Sequence, residues 1–78
     1  MKFPTEKELE MLRAKYPKGT KILLIHMNDL QPVPTGTIGE VALIDDCGNI
    51  HMIWQNGRSL AIIEGVDDFE VISGSVSD

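Results

Sequence analysis

From Lys18 to Ile72 the chain breaks into five short apolar runs, KILLIHM, TIGEVALI, NIHMIW, SLAII and FEVI, separated by residues that favour turns. Runs of four to eight residues rich in Val, Ile and Leu are too short for helices that bury a face. They suit strands joined in sequence, so the body of the chain reads as an all-β meander. The link between the first two runs, about residues 28–36, is the only long one. The later links are tight, and EGVDD before the last run has room for a single 3₁₀ turn.

One long first loop, two tight hairpins and a turn before a short last strand is the order of an SH3-like barrel. A closed or nearly closed barrel also leaves few exposed strand edges, which suits so short an all-β chain. The expected fold is therefore mostly β: a five-stranded SH3-like small barrel over residues 18–73, an amino-terminal helical segment over 1–17 and a disordered tail over 74–78. The hairpin WQNGRSL sharpens the register. A type I turn with Gly57 as a left-handed bulge gathers Ile50, Met52 and Trp54 on one face with Leu60 and Ile62. The other face then carries His51, Ile53, Ser59, Ala61 and Ile63, to be covered by the helix or by a second copy. Trp54 belongs to the core in this register, and Gly39 reads as a bend in a curved strand.

Ahead of the strands, Thr5 and Glu8 stand at the spacing of a capping box, so a helix begins there. Acidic Glu6, Glu8 and Glu10 precede basic Arg13 and Lys15, the order that complements the helix dipole, and Pro17 forces an end after Tyr16. Leu9, Leu12 and Tyr16 form a packing stripe.

With 78 residues there is room for one domain, which buries only about 60–65% of its unfolded surface. A 42% hydrophobic share favours a folded chain over disorder, and no apolar run is long enough to cross a bilayer. The opening MKFPTEKELE lacks a charged-then-apolar signal pattern, and a single Cys47 in a polar turn excludes an internal disulfide and suits a reducing compartment. A cytoplasmic location is the expectation. The net charge of −5 divides unevenly: residues 1–21 carry six basic and three acidic residues, residues 22–78 carry Arg58 and nine acidic ones. So acidic a body repels phosphate, leaving the first 21 residues as the one place for nucleic-acid contact.

No catalytic constellation stands out, so no enzyme is expected. Cys47 lies in DDCGN beside two carboxylates, which make it a poor nucleophile, and the pairs Asp45-Asp46 and Asp67-Asp68 suit turns and strand ends. His26, Asp29 and His51 are the metal candidates, but no familiar ligand spacing links them, and neither metal nor cofactor is expected. The glycines of TGTIGE open a strand and not the helix that a phosphate loop requires. Partner binding remains. The long first loop of such a barrel flanks a groove, which makes His26, Asn28, Asp29, Gln31, Pro32, Pro34, His51 and Asp67 the candidate contacts, near the Asp45 to Gly48 turn or the Asp67 to Phe69 segment. Aromatic residues are too few for a stacking platform.

A wider pattern runs through Tyr16-Pro17-Lys18-Gly19-Thr20, His26-Met27 with Asp29, Gln31-Pro32-Val33-Pro34 leading to Gly36-Thr37, Ile50-His51 with Trp54, Asn56-Gly57, Leu60 and Gly65-Val66-Asp67. In these residues positions 16–72 resemble the bacterial and phage domain-of-unknown-function family four-three-one-four, with Leu30 where a proline is common and Gln55 where an aspartate is common. The resemblance implies a setting of phages, plasmids and other mobile elements, and no known activity. Three functions are compatible with the residues: a non-enzymatic module that engages a protein partner, an oligomeric ligand-sequestering counter-defence protein, and a nucleic-acid binder using the basic amino-terminal segment.

Overall fold

In the computed structural model, which describes residues 3–73, the amino-terminal segment forms helix α1, Glu6–Lys15. Both halves of the capping box are made: Thr5 N donates to Glu8 Oε1 (2.8 Å) and Glu8 N donates to Thr5 Oγ1 (3.1 Å). Leu9 and Tyr16 are buried and Leu12 packs against the core, so the stripe docks on the chain's own sheet. Charged contacts hold the helix from two sides. Arg13 donates through Nη2 to the Ile44 carbonyl (2.9 Å) and to Asp46 (3.1 Å), while Glu64 Oε2 accepts from Lys15 Nζ (2.7 Å) and Tyr16 Oη (2.6 Å). Tyr16 also meets Phe69 edge to face, 5.6 Å between ring centroids.

Four strands follow: β1 (Lys21–His26), β2 (Ile38–Ile44), β3 (Ile50–Trp54) and β4 (Asp68–Ser73). They form one antiparallel sheet in the order β3-β2-β1-β4, so the first strand lies between the second and the last. Ile22, Leu24, Val41, Ile50, Met52 and Trp54 point to the core, at the alternation that a sheet with one buried face requires.

The sheet is not closed, and the expected fifth strand, SLAII, is absent as a strand. Only Ile62 bridges β3, exchanging both backbone hydrogen bonds with Ile50 at 2.9 Å. A side chain takes the group that the next ladder pair would use: Trp54 Nε1 donates to the Leu60 carbonyl (2.8 Å). The Ile63 N–H, directed away from β3, is accepted by Asp67 Oδ2 (2.8 Å). The bulged register nevertheless holds. Trp54 N donates to Arg58 O, Gly57 has φ of 85°, and Ile62 faces Ile50, which puts Leu60 and Ile62 beside Met52 and Trp54.

Trp54 is 2% exposed, a core residue. Its ring gives Gly39 a different reason from strand curvature: a Cβ at Gly39 would lie 2.5 Å from Trp54 Cε3. Glycine stands there because the indole lies across its backbone. The helix packs on the core side, leaving Ile53 (63% exposed) of the opposite face in solvent, while Ile63 (41%) lies part-exposed beside α1. The tail expected over 74–78 lies outside the described residues.

Candidate partner-binding loop

The chain leaves β1 at His26 and is at once drawn back inward. Met27 and Val33 are both buried, and Val33 N donates to the Met27 sulfur (3.4 Å), so two apolar feet seat the loop in the core. What lies between them is exposed, and three side chains fix its backbone. Asp29 Oδ1 accepts the Gln31 N–H (2.9 Å), a local turn of the kind aspartate makes with the residue two places on. Asp67, buried in the turn before β4, accepts the Asn28 N–H on Oδ1 (2.7 Å) while its other oxygen holds Ile63. From the β3 hairpin, Arg58 donates to the carbonyls of Gln31 (2.6 Å) and Pro32 (3.1 Å). On the returning side Thr35 Oγ1 donates to Ile25 O, Thr37 Oγ1 to Pro34 O, and Gly36, at φ 91°, turns the chain into β2.

At the tip of this pinned backbone Leu30 is 100% exposed. The loop therefore offers one apolar side chain ringed by Asn28, Asp29 and Gln31, with little backbone freedom left to lose on binding. His26, Asn28, Asp29, Gln31, Pro32, Pro34 and Asp67 belong to this one end of the sheet, Asp67 as a buried bracket and not as a surface group. His51 does not join them. Its Nε2 lies 2.8 Å from Asp45 Oδ2 in the β2–β3 turn, where Asp45 also accepts the N–H groups of Cys47 and Asn49 and the Asn49 amide. The bond to His51, with those of Asn49 and Cys47, holds the Asp45 carboxyl far below the usual carboxylate range against the opposing effect of desolvation.

That turn packs against α1: a Cβ on Gly48 would lie 3.3 Å from Pro4 and 3.9 Å from Leu12. The loop's neighbour is thus the Asp67 segment and not the Asp45 to Gly48 turn. Among the described residues no three His, Cys, Asp or Glu side chains form a group able to hold a metal ion. Sequence reasoning passed over Leu30 and Arg58. A leucine amid turn formers, and the lone cation among nine carboxylates, were the signals available.

Three of the amino-terminal segment's described cations are engaged. Arg13, Lys15 and Lys21 pair with Asp46, Glu64 and Glu40 of the acidic body. No helix among the described residues is long and apolar enough to cross a membrane.

The sequence profile of a family described as Domain of unknown function (DUF4314) matches residues 5–72, the helix cap to the last strand. The chain belongs to this family. The DUF4314 match takes in α1 as well as the sheet. No curated protein and no solved structure matches the chain.

Proposed function

We propose that this DUF4314 protein is a small non-enzymatic binding module that engages a protein partner through residues 26–34 and the acidic surface around them. In this reading the sheet, with residues 58–64 laid along β3, is an opened SH3-like barrel, and its first loop is the working edge. A cytoplasmic setting in a phage or other mobile element accompanies the proposal, from the exposed Cys47 and from the family resemblance of residues 16–72.

The observation that carries it is Leu30, wholly exposed at the tip of a loop that Asp29, Asp67 and Arg58 hold in one shape. An apolar side chain on a preorganised backbone, ringed by polar groups, can dock with little ordering cost. With Asn28, Asp29 and Gln31 around Leu30, the matching surface is an apolar pocket with hydrogen-bond donors, one of them cationic, at its rim. The test is affinity capture with the wild type and with Leu30→Ser, whose fold is untouched because the side chain contacts only solvent. A protein held by the wild type, released by Leu30→Ser and weakened by salt supports the reading. Capture indifferent to Leu30 sinks it. The nucleic-acid reading gains nothing here, since three of the six amino-terminal cations already face carboxylates.

A further inference from the structure

A second concavity, sharing no residue with the loop, runs beside α1 with a volume of about 490 Å³. Its apolar walls are Phe3, Pro4, Met11 and Leu12 on the helix side and Cys47 and Ile63 opposite, with Glu8, Lys15 and Glu64 at the rim. Phe3 and Met11 are each 63% exposed, large apolar groups left in water next to an apolar hollow. Glu8, Met11 and Lys15 fall at i, i+3 and i+7, on the one side of the helix that lines the groove.

On the groove side of that helix the charge order is antisymmetric. Glu8 stands in the first turn and Lys15 in the last, with Met11 between them, while Lys7, Glu10 and Arg13 lie off that side. A second copy laid antiparallel therefore sets Glu8 against Lys15 twice and brings the two Met11 side chains together at the centre, whereas a parallel copy would set like against like. We infer that this groove is a self-association surface, in which two copies of the chain pair their α1 helices antiparallel about a two-fold axis and the two Met11 side chains meet there, closing the apolar hollow of each copy. Lys15 already holds Glu64 at 2.7 Å, so Glu8 of the second copy completes a carboxylate–ammonium–carboxylate network across the interface. Networks of this kind contribute where single exposed pairs contribute little. The isologous geometry also follows the commonest symmetry of soluble oligomers.

Sedimentation equilibrium from micromolar to millimolar concentration is the first measurement. The wild type is expected to dimerise, and Met11→Glu to weaken association about tenfold or more, with the helical signal unchanged because Met11 is mostly exposed. The second measurement fixes the geometry. In a Cys47→Ser background, Met11→Cys lies on the two-fold axis and cross-links to its counterpart under mild oxidation, while Leu30→Cys in the same background does not. A wild type that stays monomeric, a Met11→Glu variant that dimerises undiminished, equal cross-linking at positions 11 and 30, or a monomer that takes an apolar fluorescent probe into the groove would each overturn the inference.

Discussion

Asp67 gives one oxygen to the Asn28 N–H and the other to the Ile63 N–H while being 8% exposed, so a single carboxylate ties the first loop to the segment beside β3. Removing it strands two part-buried donors. Asp67→Ala is expected to lower stability by about 2–3 kcal/mol, read as a fall in chemical-denaturation midpoint, and to loosen the loop around Leu30. Gly39→Ala tests a steric limit: the new methyl meets the rigid Trp54 ring, at an expected cost of about 1–3 kcal/mol with a shift in tryptophan emission. Residues whose role is set by near neighbours were legible in the sequence, among them Thr5 with Glu8, and Asn56-Gly57 with the register of Trp54. Asp67 was legible as a neighbour of the loop but not as its buried bracket, and Arg58 not at all, because their bonds to the loop backbone span 39 and 27 or 26 residues and no local pattern encodes that reach.

Helix α1 and the β2–β3 turn were both visible as elements, one from its capping box and the other from Asp45-Asp46 and Gly48. The fifth strand misled because SLAII has the composition of a strand, while Trp54 Nε1 claims the Leu60 carbonyl that the next ladder pair needs. Asp45 makes the turn sensitive to acid. Its carboxyl titrates below its unfolded value, so its stabilisation is complete above about pH 4 and is lost as pH falls toward the depressed folded value. Glu64, lowered by its bonds to Lys15 and Tyr16, acts in the same direction. At the other extreme burial raises the Tyr16 phenol, with the Glu64 bond reinforcing it, so that contribution is present below about pH 10 and disappears as pH climbs through the raised value. Melting temperature against pH should therefore fall on both limbs, and Asp45→Asn should flatten the acid one. Thr5→Ala should cost about 1 kcal/mol and fray α1, visible as lost helical ellipticity.

Across the whole molecule, stability concentrates where strands have neighbours on both sides. Amide exchange should be slowest in β1 and β2, and slow at Ile62 and Ile63, whose N–H groups are bonded, but fast at Leu60 and Ala61. Protection at Leu60 equal to that at Ile62 would instead reveal a continuous strand there. The placing of β1 between β2 and β4 reaches beyond the finished fold. While the chain is being synthesised, the first strand has only half its partners, and the loop that follows it lacks the last of its three brackets until Asp67 has been added. A ribosome still translating this domain therefore carries helix α1 and a three-stranded sheet whose β1 edge is unpaired. The last residues of β4 close that edge, and only then does the nascent chain stop offering an open strand to its neighbours.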